Sequence, residues 1–127
     1  MSESQAQSGA SQISTLIFSC SGGSDNGLTA DRAARQLTCR GKGRLFCMTG
    51  VAAQNPFHLQ TVRDAERILL IDGCPFECGY NALRKAGISG FRHLRVSDIG
   101  VDPEDIPSPD ELVELVADLG ERLLDRD

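Results

Sequence analysis

Apolar residues are arranged along the chain in short blocks with two spacings, compact runs and helical stripes, in regular alternation. Ser14-Thr-Leu-Ile-Phe-Ser19 is a compact apolar run and predicts a buried strand. Cys20-Ser21-Gly22-Gly23-Ser24 is small and glycine-bearing, so a turn is expected there. Ala30, Ala33, Ala34 and Leu37 then recur at i, i+3, i+4 and i+7, with Asp31, Arg32 and Arg35 on other faces. That spacing predicts a helix that stops near Gly41. Arg44-Leu-Phe-Cys-Met48 reads as a second strand, and Asn55-Pro56 as the cap and first turn of a helix running to about Asp64. Arg67-Ile-Leu-Leu-Ile71 is apolar on both faces, as a central parallel strand must be. Pro75 opens a predicted helix through Lys85, with Gly87 as its stop. Phe91 to Val96 mixes polar with apolar residues, which suits an edge strand. Ser108-Pro109-Asp110-Glu111 is a capping box, and Leu112, Leu115, Val116, Leu119 and Leu123 make an apolar stripe on the helix behind it.

Strands alternating with helices indicate an α/β fold with a parallel sheet. Right-handed crossovers in a doubly wound arrangement predict about four strands in the order 2-1-3-4, covered by helices on both faces as three layers. Residues 1–12 (MSESQAQSGASQ) carry no apolar periodicity and are expected to be a disordered tail. No linker interrupts residues 13–127, so one domain is expected there.

Composition narrows the function classes. Thirteen Lys and Arg against eighteen Asp and Glu give a net charge of −5, which leaves no broad basic surface for a nucleic-acid backbone. No apolar run approaches the roughly 18 residues of a membrane span, and the N-terminal stretch lacks the pattern of a secretory signal. A cytoplasmic protein that binds neither membrane nor nucleic acid is the expectation, in a compartment that keeps thiols reduced.

The five cysteines carry the chemistry. Cys20 stands just after the first strand, Cys47 at the predicted end of the second, and Cys74 just after the third, 27 residues apart each time. One strand–helix unit takes about that many residues, so three thiols recur at the carboxyl rim of the sheet, where ligands of such folds bind. Cys78 lies one helical turn beyond Cys74 and faces the same side. Tetrahedral thiolates on zinc sit roughly 3.8 Å apart, and adjacent strands about 4.8 Å apart, so four sulfurs from neighbouring strand ends can reach one ion. Cys39 ends the first helix and belongs at the opposite rim. Reading the thiols as small buried hydrophobes leaves four at one rim unexplained.

Cys20-Ser-Gly-Gly-Ser, Phe46-Cys47-Met-Thr-Gly, Ile71-Asp72-Gly73-Cys74-Pro75-x-x-Cys78 and His93-Leu-Arg-Val resemble the DGC-domain family, named for the triplet present here as Asp72-Gly73-Cys74. The resemblance spans roughly residues 15–100. It implies a four-cysteine zinc site at Cys20, Cys47, Cys74 and Cys78, and it carries no settled biochemical activity.

Around that site, Asp72 is a candidate to fix the ligand loop by accepting from backbone N–H groups of the turn before Cys74. Gly22 and Gly23 are candidates to offer N–H groups to thiolate sulfur. His58 and His93 read as a solvated and a structural histidine. The leading expectation is a zinc-binding protein with a Zn(Cys)4 centre, acting in metal handling, sensing or the binding of a protein partner. A thiol redox enzyme using Cys20 and an iron–sulfur protein on the same four cysteines are the alternatives. No catalytic residue is identified. A phosphatase-like loop after Cys20 needs an Arg six residues on, and that position is Asn26.

Overall fold

A computed structural model of the chain describes residues 14–20 and 22–126; the expected tail over 1–12 lies outside them. The elements are β1 (Thr15–Ser19), α1 (Asp25–Cys39), β2 (Arg44–Leu45), α2 (Met48–Ala52), α3 (Pro56–Asp64), β3 (Arg67–Asp72), α4 (Cys78–Lys85), β4 (Arg92–Arg95) and α5 (Pro109–Leu124), with a short 3₁₀ turn at Val96–Asp98 after β4. The sheet is parallel throughout, in the order β2-β1-β3-β4. This is the predicted 2-1-3-4 arrangement. Leu16 pairs with Ile68 and Ser19 with Ile71 across β1 and β3, so Cys20, just past β1, and Asp72, the last residue of β3, come at the same level.

Strand alternation divides the apolar residues into two cores. Ile17, Leu69 and Ile71 face α1 and α5 and pack with Ala30, Ala33, Leu37 and Val116. Leu16, Phe18, Ile68 and Leu70 face the other way and pack with Met48 and Val51 of α2, Val62 of α3 and Leu83 of α4. Both faces of β1 and β3 are therefore buried, which accounts for their unbroken apolar runs. Phe18 is fully buried, and truncating a phenyl ring so enclosed costs about 3–5 kcal/mol.

Three expectations are corrected. The second strand is two residues long, not five. One further bond, Phe46 N–H to the Ile17 carbonyl, extends its ladder before the chain turns into α2, a helix absent from the sequence reading. The fourth helix begins at Cys78 rather than Pro75, because Glu77 adopts a left-handed φ of 56° that breaks any earlier turn. On α5 the buried stripe is Val113, Val116, Ala117, Gly120 and Leu124, shifted off the leucine stripe, with Leu115 exposed. Small residues win there because α5 docks tightly on the molecule: a Cβ on Gly120 would lie 2.9 Å from a methyl of Leu37 in α1. Arg40 at the end of α1 ties the two helices further, with Glu114, Asp118 and Glu121 at 2.8, 3.0 and 3.0 Å. The stops at Gly41 and Gly87 are as expected, with φ of 78° and 83°. No helix among the described residues is long and apolar enough to cross a membrane.

Candidate functional site

Cys20 follows β1 directly, and its N–H still bonds to the Ile71 carbonyl at 3.1 Å, one step beyond the strand pairing. Its side chain is buried, and its sulfur accepts from the Gly73 N–H at 3.1 Å. Burial pushes the Cys20 thiol up from its ordinary value. The N–H groups of Gly73 and Gly22 pull it down less strongly, while Asp72 and Cys74 push in the same direction as burial. Gly23 has open space around its Cα.

Cys74 is half-buried just past β3, and Cys78 is exposed at the first residue of α4. Cys20, Cys74 and Cys78 line one pocket of about 320 Å³ at the carboxyl rim of the sheet. Its remaining wall is largely apolar, from Met48, Ala52, Gly79 and Ala82.

Cys47 occupies different ground. It is the N-cap of α2, and its sulfur accepts from the Gly50 N–H at 3.2 Å. It opens into a neighbouring pocket of about 290 Å³ with Ser19, Asp31 and Arg35. Met48 and Thr49 line both pockets and form the partition. Cys39 is the exposed last residue of α1, at the other end of that helix from the Cys20 turn. All five thiols are free.

The Asp-Gly-Cys triplet has a steric logic. Gly73 leaves β3 where the first turn of α1 presses against it: a Cβ there would lie 2.5 Å from the Gly27 nitrogen and 2.6 Å from the Asn26 carbonyl carbon. Both contacts are backbone, so neither can move aside. Gly27 in turn stacks on Gly22, 2.9 Å from its carbonyl oxygen by the same measure. Glycine at 22, 27 and 73 thus brings the Cys20 and Cys74 turns together.

Asp72 is 1 % exposed, and both of its carboxylate oxygens are engaged. Oδ1 accepts from the Gly79 N–H at 2.9 Å and Oδ2 from the Tyr80 N–H at 3.2 Å. The sequence reading assigned it to the turn before Cys74; it serves the start of α4 after Cys78 instead. Glu77, the residue at the N-cap position, makes no capping bond, so a strand residue supplies what the local sequence does not. His93 of β4 donates from Nε2 to Asp72 Oδ2 at 2.7 Å and packs against the Tyr80 ring at 5.2 Å. Glu77 lies beyond it, 3.8 Å from His93 Nδ1 and 3.4 Å from Arg95 Nη1. Sequence reasoning missed Met48 as pocket wall, and it missed His93 as the partner of Asp72. The register Leu70 to His93 and Asp72 to Arg95 creates that meeting, and no local motif announces it. His58 packs on Gly50 and Phe46, its Nδ1 buried without a hydrogen-bond partner, outside the thiol pocket.

The donors that line the pocket are of the soft type, three thiols, with the one carboxylate already occupied by three donors. The arrangement differs from a finished four-thiolate centre. Among the described residues no group of three or more His, Cys, Asp or Glu side chains is placed to hold a metal ion, and Cys47 stands behind Met48 and Thr49.

The pattern of the DGC domain matches residues 16–118, from β1 into α5. The chain belongs to the DGC-domain family. Among curated proteins it is similar to the anaerobic and virulence modulator AnvM of Pseudomonas aeruginosa, 29% identical over 86 residues, which cover 68% of this chain and 66% of that protein. No solved structure matches the chain.

Proposed function

We propose that this DGC-domain protein binds Zn²⁺ through thiolates at the carboxyl rim of its sheet and uses the bound state to regulate a protein partner. One observation carries the reading: Cys20 and the Cys74/Cys78 pair, far apart in sequence, line a single pocket. Thiolates are soft ligands suited to zinc, and protein N–H groups aimed at sulfur, as from Gly73, offset their charge. Cys47 is the fourth member of the set; to join it, its side chain must leave the Gly50 N–H and pass the Met48 partition. Family membership supports a metal-binding or regulatory role in general terms, and the name of the Pseudomonas relative, a modulator, supports a regulatory output. A reducing compartment such as the cytoplasm would keep the five thiols free for this role. A nucleophilic role for Cys20 gains no support, since burial favours its protonated, unreactive form.

The test is elemental analysis of the purified protein and its five Cys→Ser variants. One zinc per chain is expected, lost in Cys20→Ser, Cys74→Ser and Cys78→Ser and kept in Cys39→Ser, while Cys47→Ser reports whether the fourth thiol takes part. Equal metal content in all five variants would overturn the proposal. A brown protein containing iron would transfer the same thiols to an iron–sulfur cluster.

A further inference from the structure

Strand β4 ends the sheet on one side, and among the described residues no strand pairs with its outer edge. A bare edge presents N–H and C=O groups to any extended chain that can lie beside it. A groove of about 420 Å³ follows this edge, lined by His93 and Leu94 of β4 and by Leu119, Arg122, Leu123 and Arg126 of α5. Successive strand residues point to opposite faces of a sheet, so a groove that both His93 and Leu94 line lies along the edge rather than under one face. Its apolar part is the portion of the leucine stripe that α5 does not bury: Leu119 and Leu123 stay half-exposed beside the buried Val116 and Gly120. Its other part is basic. Arg122 and Arg126 are exposed one helical turn apart, and Arg92 donates to the Arg126 carbonyl at 2.7 Å. Among the described residues none of these three arginines meets a carboxylate at ion-pair distance, whereas Arg32, Arg35, Arg40 and Arg95 all do. Like charges at i and i+4 disfavour each other, and an acid placed between them relieves the repulsion. The groove is graded: Arg126 stands at the Arg92 end, and Leu119 lies two helical turns back along α5.

We propose that the β4 edge docks an extended acidic segment of a partner protein. The segment adds to the sheet as a further strand, with carboxylates against Arg92, Arg122 and Arg126 and apolar side chains over Leu94, Leu119 and Leu123. In strand addition the main-chain hydrogen bonds supply affinity, and the pockets for alternate side chains supply specificity. Charge selects this occupant over the others. A second copy paired edge to edge would bring the same arginines together, and a nucleic-acid backbone would leave the leucines and the strand edge unused. The site needs no metal and touches none of the thiols, so its failure and that of the zinc reading are separate events.

The experiment titrates the full chain into a fluorescein-labelled peptide and reads polarisation. The peptide has glutamate and threonine in one half and valine and threonine in the other, and it is made in both chain directions. One direction is expected to bind. Lysine in place of glutamate should weaken it at least about tenfold, and so should the double variant Arg122→Glu/Arg126→Glu of the protein. Both arginines are exposed, so that variant should melt with the parent; Leu119→Asp, which removes the apolar contact, is the second variant. Methylation of backbone nitrogens at every second residue of the peptide, made in each of its two phases, should abolish binding in one phase and spare it in the other, because an added strand pairs along one side only. Binding by neither peptide direction, binding that survives both protein variants, or equal effects of the two methylation phases would overturn the proposal. A polyglutamate peptide of the same length that binds as tightly would reduce the groove to a plain electrostatic patch and overturn it too. A parent chain that sediments as a dimer with slowly exchanging β4 amides would give the edge to a second copy, with the same consequence.

Discussion

Asp72 at the end of β3 caps the start of α4 by accepting from the Gly79 N–H at 2.9 Å, seven residues along the chain. The carboxylate does so from inside the core, and His93 holds its other oxygen from the neighbouring strand. The helix that begins at Cys78 is therefore oriented by the sheet itself. Asp72→Asn leaves the shape but exchanges one accepting oxygen for a donor, which cannot serve the Gly79 and Tyr80 N–H groups and His93 together. A loss of about 1.5–3 kcal/mol is expected, the worth of hydrogen bonds to a charged group. Denaturant titration measures it, and a variant as stable as the parent would show that the cap is idle. His93→Phe should cost less, because the two backbone donors remain satisfied.

The close approach of Gly73 to α1 makes a second prediction. Gly73→Ala places a methyl 2.5 Å from backbone nitrogen, so α1 and β3 must separate, at about 3 kcal/mol or more. Gly23→Ala, in the same rim but with nothing within 4 Å of its added carbon, should leave stability within about 0.5 kcal/mol. Thermal melts of the two variants side by side decide the point. Equal effects would mean that the rim turns tolerate the displacement.

Helix α5 is held at its start by a capping box. Ser108 Oγ accepts from the Glu111 N–H at 3.2 Å, and Glu111 Oε1 accepts from the Ser108 N–H at 2.8 Å. Ser108→Ala should cost about 1 kcal/mol. The Ser108 N–H, helped by its hydroxyl, holds the Glu111 carboxyl below its ordinary value of 4.5. A carboxyl lowered by folding stabilises at pH above its unfolded value, and that contribution disappears as pH falls through the folded value. Stability lost on acidification from pH 5 downward should be smaller in Glu111→Gln than in the parent, as pH-dependent melting will show.

On the proposed zinc-binding reading, metal content should fall as pH drops, because protons compete for thiolate sulfur. The midpoint of release is expected to be unchanged in Cys39→Ser, whose sulfur lies at the far end of α1. It should move to higher pH in any variant that lacks one ligand thiol. Dialysis at a series of pH values followed by metal analysis measures it. A shifted midpoint in Cys39→Ser would place that thiol in the site.

Local pattern sufficed for most of the architecture. The apolar runs at 14–19 and 67–71 read as buried strands, the second a central parallel one, and the alanine spacing from Ala30 to Leu37 as a buried helix face, and strands and helix stand there. Together with crossover handedness, these led to the strand order. Of the three cysteines that recur every 27 residues, Cys20 and Cys74 lie just past the ends of β1 and β3. Where neighbours rather than local sequence set the conformation, the sequence was silent or misleading. Arg44–Met48 has the composition of a strand, yet Cys47 caps a helix once Gly50 offers its N–H, so this thiol faces a different pocket from the other three. The leucines of α5 outnumber its small residues, yet Ala117 and Gly120 are buried because only they permit close contact with α1. Asp72 looked like a turn residue and proved to be a cap, through a helix seven residues on and a histidine on another strand. Periodicity records what one element requires of its own residues. Partners that meet across the sheet are decided by register and packing, which exist only once the chain is folded.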